Sequence, residues 1–194
     1  MLPPLPKLVA LDLEATQFRG RAHVVEIAAV LVTEGRIDRV FDTLVDPGCP
    51  IDPHTQAVHG ISNSDVKGEP TFAEAWATLG PMLDGAVVIA HGASNDAEFI
   101  RQEIVRHHLE PPRVEWWCTL RMSRKLLPKR FEGFSLARLT EDLGIKAAPT
   151  HKAIDDTRAL YELYSALIEF AVQKEMTWDA VREIARAKGR HWPF

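Results

Sequence analysis

The feature that most constrains this chain is a short apolar run, residues 8–14, that ends in two acidic residues. The run, Leu-Val-Ala-Leu-Asp-Leu-Glu, has the length and composition of a strand buried on both faces of a sheet. Because side chains alternate across a strand, Asp12 and Glu14 point to the same face. Two carboxylates beside a sheet core are costly unless a cation compensates them, and hard oxygen ligands suit Mg²⁺ or Mn²⁺. The alternative, a strand that reaches solvent with two surface acids, stays open on this pair alone.

Strand and helix signals along the rest of the chain predict an α/β domain. The β-rich stretches 24–32 and 37–45 flank a Glu-Gly turn and form a predicted hairpin, while the prolines of 47–53 predict a loop. This order of segments is typical of a mixed central sheet flanked by helices on both faces. Asp12 and Glu14 lie at the carboxyl end of a strand, where ligands gather in such folds. The later segments alternate: helix 71–83, strand 86–90, helix 95–108 with Asn95 as N-cap, strand 114–119, and helices 120–127, 135–143, 153–172 and 176–188.

The bulk properties favour one soluble domain. A length of 194 residues suits a single sizeable core, which we place at residues 1–175, with 176–194 as a C-terminal helical extension packed on it or appended to it. Two cysteines without metal-ligand spacing argue against a disulfide framework and fit a reducing cytoplasm. Residues 1–7 lack the features of a signal peptide, and no stretch is long enough to span a membrane. We therefore expect a cytoplasmic location.

Basic residues gather in two segments although the net charge is −4. Residues 121–130 carry five basic groups and no acidic one, and residues 182–190 carry four basic groups and one acidic one. Such local patches can contact phosphates even on an acidic protein. The alternative is a solvated helix face, which we favour for the C-terminal segment.

A third acidic residue, Asp96, falls in the first turn of the predicted helix 95–108. Phe99 and Ile100, three and four residues later, share its side of the helix. Since that side is apolar, the Asp96 carboxylate is expected to point inward rather than to water. The alternative is an aspartate that only stabilises the helix dipole.

The segment 150–157 offers two adjacent acids and a histidine. Positions four, seven and eleven residues after Asp156 are all leucine, whereas the same steps from Asp155 reach alanine, glutamate and alanine. Asp156 therefore lies on the buried stripe of the helix, and Asp155 faces solvent or supports the site from behind. His151 precedes the helix and would reach the site from the preceding loop; the alternative is a surface or capping histidine.

These residues together resemble the DEDDh family of 3′–5′ exonucleases, which includes the proofreading subunit of bacterial DNA polymerase III and RNase T. The matching motifs are Asp-x-Glu at 12–14, Ala-His at 90–91 followed by Asp96, and His-x-Ala-x-x-Asp at 151–156. The resemblance extends from about residue 8 to about residue 168. The chain departs from many relatives at 15–17, where Ala-Thr-Gln replaces Thr-Thr-Gly, and in the segment 91–96; both departures leave the acidic residues intact.

The resemblance implies a ribonuclease H-like fold and a two-metal mechanism. In this interpretation Asp12, Glu14, Asp96 and Asp156 bind two divalent ions, Mg²⁺ or Mn²⁺, and His151 is the general base. The substrate is a nucleic acid with a 3′ end, expected to be single-stranded DNA or RNA, and phosphodiester bonds are hydrolysed from that end. The residues expected to bind the terminal nucleotide are Ala15, Thr16, His59 and Ile61.

Two other classes remain as alternatives. One is a non-catalytic nucleic-acid-binding or polymerase-associated subunit of the same fold, against which the intact acids and His151 argue. The other is a ribonuclease H-like endonuclease, which the His-to-Asp spacing of the third motif disfavours. The sequence leaves open whether the partner is a polymerase or a second copy of the chain, and whether DNA or RNA is preferred. No membrane partner is expected.

Overall fold

A computed structural model describes residues 2, 4–128, 133–150 and 152–187. The strands in this part of the chain are β1 (Lys7–Phe18), β2 (Arg21–Thr33), β3 (Arg36–Leu44), β4 (Val87–Ala90) and β5 (Glu115–Cys118). The helices are α1 (Pro53–His59), α2 (Phe72–Leu83), α3 (Ser94–His107), α4 (Thr119–Leu126), α5 (Leu136–Leu143), α6 (Ala153–Gln173) and α7 (Trp178–Ala185). None of these helices has the length and apolar composition needed to cross a lipid bilayer.

The described strands form one mixed sheet in the order β3-β2-β1-β4-β5. β1 pairs antiparallel with β2, and β2 pairs antiparallel with β3. On the other side, β1 pairs parallel with β4, and β4 pairs parallel with β5. This arrangement confirms the predicted mixed sheet and places β1, the strand with the two acids, at its centre.

Helices cover both faces of the sheet, and the alternation of β1 shows which face holds the acids. Val9, Leu11 and Leu13 belong to the core cluster that includes α2 and α3. Leu8 and Ala10 belong to the opposite cluster, which includes α4, α6 and α7. Because even-numbered positions share a face, Asp12 and Glu14 continue the row of Leu8 and Ala10 toward α6.

The chain between the two N-terminal strands forms a long hairpin that the sequence did not predict. β1 continues past the acids to Phe18, and the turn uses Arg19 and Gly20, which have φ values of 51° and 75°. Between Glu14 and Ala15 the register shifts, since Glu14 lies opposite Glu26 whereas Ala15 lies opposite Val24. Residues 15–23 lack an alternating apolar pattern, so periodicity gave no strand signal there.

Two helix predictions need correction. The proline-rich stretch 47–53 is not entirely loop, because Pro53 begins α1 and Asp52 caps it by accepting hydrogen bonds from the backbone N–H groups of residues 54 and 55. Asn95 is not the N-cap of α3. The helix begins at Ser94, and Ala93 before it already has helical backbone angles and gives no side-chain cap. The chain leaves β4 through Gly92, which has a φ of 97°, so the helical path starts earlier than predicted.

The C-terminal segment packs against the parallel edge of the sheet. Trp178 of α7 lies against Trp117 of β5 with ring centroids 5.9 Å apart, and Arg182 lies 3.0 Å from Glu115. Val181 and Ala185 are fully buried in the same cluster as α6. The helix ends at Ala185 rather than at residue 188, and Gly189, predicted to stop it, lies outside the described residues. The proposed division at residues 175 and 176 stays a prediction.

Candidate active site

Asp12 and Glu14 lie side by side on the central strand, facing the N-terminal end of α6. Asp12 is opposite Ala28 of β2, and Glu14 is opposite Glu26. Burial raises the pKa of Asp12 well above its usual range, and the nearby carboxylates, Asp96 first, raise it further. Burial and the charge of Glu26 likewise raise the pKa of Glu14 to about 7. Both side chains are therefore held where negative charge is costly.

Asp96 projects from the first turn of α3, next to the carboxyl end of β4. Its exposed fraction is 7%, which agrees with the inward orientation predicted from helical periodicity. Burial raises the pKa of Asp96 to about 7, although its own backbone N–H opposes the shift. The charge of Asp96 raises the pKa values of both Asp12 and Glu14, so its carboxylate belongs to the same electrostatic neighbourhood.

Three side chains of α3 fasten that helix to the start of β2. Gln102 Oε1 accepts a hydrogen bond from the Ala22 backbone N–H at 2.9 Å, and Arg106 donates to the Ala22 carbonyl at 2.7 Å. Glu103, only 2% exposed, accepts from the Val24 backbone N–H at 2.9 Å. Since these bonds join α3 to the β1–β2 hairpin, they fix Asp96 relative to the strand that carries the first two acids.

Asp156 lies in the first turn of α6 and faces β1, whereas its neighbour Asp155 does not. The charge of Asp156 raises the pKa values of Asp12 and Glu14. Its Oδ1 accepts a hydrogen bond from the Thr150 backbone N–H at 2.8 Å. Asp155 instead accepts from the Thr150 hydroxyl and lies 4.0 Å from Arg158. Both acids are half-buried, and of the two only Asp156 contributes to the raised pKa values of Asp12 and Glu14. The assignment of Asp156 to the site stays a prediction.

His151, the predicted general base, lies outside the described residues. Its place in the chain is bounded by Thr150, which is hydrogen bonded to both Asp155 and Asp156, and by Ala153 at the start of α6. The assignment of His151 therefore continues to rest on the third motif of the sequence.

Glu26 of β2 is a fifth acid of this neighbourhood that the sequence analysis missed. It raises the pKa values of Asp12 and Glu14, and its own pKa is raised chiefly by burial. Its Oε2 accepts a hydrogen bond from the Ala153 backbone N–H at 3.1 Å. The available signal was its position, because Glu26 is the sole charged residue in the apolar stretch 24–32.

Asp12, Glu14, Asp96 and Asp156 form a set of oxygen donors suited to divalent cations. Burial raises the pKa values of Asp12, Glu14 and Asp96, and the charges of Asp96 and Asp156 raise those of Asp12 and Glu14 further. A bound cation would relieve that repulsion. In the described part of the chain, no three His, Cys, Asp or Glu side chains form a ready-made ligand cluster. The carboxylates therefore shift one another's pKa values, but their oxygens do not form a complete set of metal ligands. The donor set fits Mg²⁺ or Mn²⁺ by its chemistry.

Thr16, predicted to contact a terminal nucleotide, joins β1 to α1. Its side chain is fully buried, and its Oγ1 accepts hydrogen bonds from the Asp52 backbone N–H at 2.7 Å and from the Thr55 hydroxyl at 3.2 Å. Its hydroxyl is thus occupied within the protein, and Ala15 beside it is half-buried. Contact between either residue and a nucleotide stays a prediction, for which the backbone is the available group.

His59 and Ile61 flank the end of α1 and are both 8% exposed. The Ile61 backbone N–H donates to His59 Nδ1 at 3.0 Å, so the other ring nitrogen carries the proton in the neutral form. That nitrogen, Nε2, is buried and has no hydrogen-bond partner among the described residues. Burial lowers the pKa of His59, which favours the neutral form. Ile61 packs in a small cluster with Val25, Ile51 and Val66.

His91, from the second sequence motif, is a structural tie between strand ends. Its Nδ1 lies 3.0 Å from the Thr119 hydroxyl, and its Nε2 lies 2.7 Å from the Phe134 carbonyl oxygen. Burial lowers the pKa of His91, so the ring is neutral near pH 7. Because both nitrogens are engaged, His91 holds the ends of β4 and β5 together beside the first turn of α3.

Comparison with known sequences identifies relatives that span almost all of the fold. The sequence model of the RNase_T family, described as exonuclease, matches residues 9–164. A DNA polymerase III subunit epsilon-like protein of Rhodobacter capsulatus is 35% identical over 96% of this chain, but the chain spans only 28% of that protein's length. The DNA polymerase III subunit epsilon of Aquifex aeolicus is 30% identical over 83% of this chain and 80% of its own length.

Comparison with solved structures supports the same grouping. The structure of Exonuclease X in complex with 5′ overhanging duplex DNA is 26% identical in sequence and has a TM-score of 0.66. The match covers 91% of this chain and 98% of that one. This similarity confirms the predicted fold class, a ribonuclease H-like mixed sheet with helices on both faces.

Proposed function

Because the chain belongs to the RNase_T exonuclease family, we propose that it is a metal-dependent 3′–5′ exonuclease acting on single-stranded DNA or RNA. The observation that carries this proposal is that Asp96 on α3 and Asp156 on α6 both raise the pKa values of Asp12 and Glu14 in the middle of β1. Four acids that repel one another do not stabilise a structural core. They are useful in a site that binds divalent cations, because the cations neutralise their charges.

The relatives support a nucleic acid as the substrate. The Aquifex protein is named as a subunit of DNA polymerase III, and Exonuclease X was solved in complex with duplex DNA. Either a polymerase or a second copy of this chain is a possible partner of the proposed enzyme. The basic segment 121–130, described as far as residue 128, offers positive charge for the strand upstream of the 3′ end.

The four carboxylates would hold two divalent ions, Mg²⁺ or Mn²⁺, between the middle of β1 and the first turns of α3 and α6. When bound, two such ions activate a water molecule and stabilise the leaving 3′ oxygen. The protein's contribution is to hold the carboxylates close together before the metal arrives, at a cost in repulsion. Because the pKa values of Glu14 and Asp96 are raised to about 7, protons compete for these oxygens below neutral pH, and metal binding releases them.

His151 would accept the proton of the attacking water. A histidine with a reference pKa near 6.5 can do so at neutral pH. The loop that contains it is tied at both ends, since Thr150 is hydrogen bonded to Asp156 and Ala153 is hydrogen bonded to Glu26.

The terminal nucleotide would be held by α1 and the adjoining part of β1. The buried N–H of His59 Nε2 needs an acceptor and would find one on the nucleotide, with Ile61 packing nearby. The backbone of Ala15 and Thr16 would supply further contacts. Thr16 supports this arrangement because its side chain already holds α1 against β1.

The decisive experiment digests 3′-labelled and 5′-labelled single-stranded DNA and RNA side by side, with Mg²⁺, with Mn²⁺ and with a chelator. We expect mononucleotides released from the 3′ end only when metal is present. Internal fragments would instead indicate an endonuclease. Binding without turnover would support the non-catalytic alternative and overturn the proposal.

Two variant comparisons test the residue roles. Asp156→Asn is expected to remove activity and weaken metal binding, whereas Asp155→Asn, one residue away, keeps most of both. His151→Ala is expected to lower the rate by about 10²–10⁴ while metal binding survives. Equal losses at Asp155 and Asp156 would contradict the assignment on α6, and full rate in His151→Ala would remove its role as base.

A further inference from the structure

Helix α6 begins without a cap of its own. Lys152 occupies the N-cap position with an extended backbone, and its side chain makes no capping hydrogen bond. The first N–H groups of a helix need acceptors, which an Asp, Ser or Thr at this position usually supplies. Here the acceptor comes from another element, because Glu26 Oε2 of β2 accepts from the Ala153 N–H at 3.1 Å.

A second bond joins the next turn of α6 to the same strand. The Thr157 hydroxyl donates to the Ala28 carbonyl at 3.3 Å, and both residues are fully buried. Ala28 lies directly opposite Asp12 on β1, and Glu26 lies directly opposite Glu14. The start of α6 is therefore tied to β2 at the two positions that face the acids of β1.

We propose that Glu26 is a positioning residue that caps α6 from β2 and thereby sets the place of Asp156 relative to Asp12 and Glu14. This inference rests on the exonuclease function proposed above. Asp156 lies three residues after Ala153, within the turn that the cap fixes. A carboxylate also suits the position electrostatically, because the N-terminus of a helix carries partial positive charge.

The competing role for Glu26 is that of a direct metal ligand. The structure favours positioning, since one carboxylate oxygen is already committed to a backbone N–H. The two roles require different properties of the side chain. Capping needs an acceptor oxygen of the right length, whereas ligation of a divalent ion needs the negative charge.

Glu26→Gln and Glu26→Met form a matched pair for the test. Both substitutions are neutral and similar in length, but only glutamine keeps an acceptor oxygen. Three quantities are measured: Mn²⁺ affinity by calorimetry without nucleic acid, kcat and KM on a single-stranded oligonucleotide, and amide exchange at residues 153–157. Asp42→Asn on β3 is the control, because Asp42 also places negative charge near Glu26.

We expect Glu26→Gln and Asp42→Asn to stay within a few-fold of the wild type in all three. Glu26→Met should lose about 10–100-fold in Mn²⁺ affinity, with kcat falling rather than KM rising and exchange at residues 153–157 becoming faster. Adding Lys152→Ser to Glu26→Met supplies an acceptor for the backbone N–H of residue 154 or 155 in the same turn and should recover part of the loss. If Glu26→Met does not fold, Glu26→Met with Lys152→Ser takes its place in the comparison with Glu26→Gln.

Equal losses in Glu26→Gln and Glu26→Met would overturn positioning and assign Glu26 to the metal. No loss in Glu26→Met would overturn both roles. A loss of thermal stability alone, with metal affinity and kcat unchanged, would reduce Glu26 to a structural residue and also overturn the proposal. If the wild type showed no turnover, the exonuclease proposal would fail, while the metal-affinity and exchange measurements would still decide the role of Glu26.

Discussion

The two halves of β1 share the same backbone structure but have opposite effects on stability. Residues 8–11 are apolar and at most 3% exposed. All four pair with β2, and residues 8–10 also pair with β4. Residues 12–16 continue the same strand but carry Asp12 and Glu14 among other carboxylates, followed by the fully buried Thr16. The first half gains free energy from burial, whereas the second half spends part of that gain on repulsion between acids.

This difference shows how the fold can hold acids close together for metal binding. Backbone hydrogen bonds in a strand form with any side chain, so burial of the apolar half stabilises the strand that also contains the acidic half. Proteins maintain unfavourable local arrangements at functional sites only when the surroundings enforce them. The strain in this site is electrostatic, and removing it should stabilise the metal-free protein while destroying its activity.

The largest expected effect is that of Asp12→Asn. Replacing one carboxylate removes a proposed metal ligand, and we expect the rate to fall by about 10⁴-fold, which corresponds to roughly 5 kcal/mol. The metal-free variant should nevertheless unfold at a higher denaturant concentration than the wild type, because one of the repelling charges is gone. Oligonucleotide digestion and urea unfolding in the presence of a chelator measure the two quantities. A variant that is both inactive and less stable would break the comparison between the two strand halves.

Leu11→Ala, in the other half of the strand, should show the reverse pattern. Leu11 is fully buried, and its truncation is expected to lower the free energy of unfolding by about 2–5 kcal/mol. Turnover per folded molecule and Mn²⁺ affinity should change little below the unfolding transition. Urea unfolding and calorimetry measure these effects, with Leu109→Ala, a partly buried residue at the edge of the same cluster, as a milder control. Loss of metal affinity in folded Leu11→Ala would show that the two halves are not separable.

The metal-free protein should become less stable as the pH rises from about 4.5 to about 7. The pKa values of Glu14 and Asp96 are about 7 in the folded protein, above the values of roughly 4 expected in the unfolded chain. Between these values the folded state binds more protons than the unfolded state, so stability falls as the pH rises and levels off above the folded pKa. Saturating Mn²⁺ at pH 7.5 should restore about 2.7 kcal/mol at 100 times its Kd. Thermal unfolding with and without metal checks both expectations, and a metal-free stability that rises over this range would contradict them.

The smallest expected effect comes from Thr16→Val. This change removes the acceptor for the Asp52 backbone N–H and should cost about 1–2 kcal/mol in unfolding free energy. Because Thr16 holds α1 near the site, we expect KM for the oligonucleotide to rise more than kcat falls. Thr16→Ser keeps the hydroxyl and is the matched control. Equal KM and kcat values in the two variants would show that the contact between Thr16 and α1 does not contribute to substrate binding.

The inward orientation of the four acids proposed as metal ligands was predictable because each follows a periodic pattern. Asp12 and Glu14 follow from strand alternation, and Asp96 and Asp156 follow from the apolar stripes of their helices. The mixed sheet and its covering helices follow from the order of the segments. All of these features follow from the spacing of residues along the chain, which a single sequence provides.

The remaining features depend on tertiary contacts. The long β1–β2 hairpin is held by side chains of α3 on β2, and no pattern in residues 15–23 announces it. The prolines of residues 47–53 predicted a loop, although Pro53 begins α1. Glu26 stands alone in an apolar strand, and its partner, the Ala153 N–H, is 127 residues away in the chain. The position of His151 lies outside the described residues, so its role remains a prediction from the sequence.

The backbone bridge at Arg186 protects one edge of the sheet. β5 is an edge strand, and the segment after α7 covers part of it through the bridge from Trp117 to Arg186 and the bond from the Ala187 N–H to the Trp116 carbonyl. An uncovered strand edge invites pairing with other chains, whereas charged side chains discourage it. The opposite edge, β3, relies on the exposed charges of residues 36, 38 and 39. Truncation before residue 186 would therefore expose β5 and promote aggregation, even if every residue of the active site were retained.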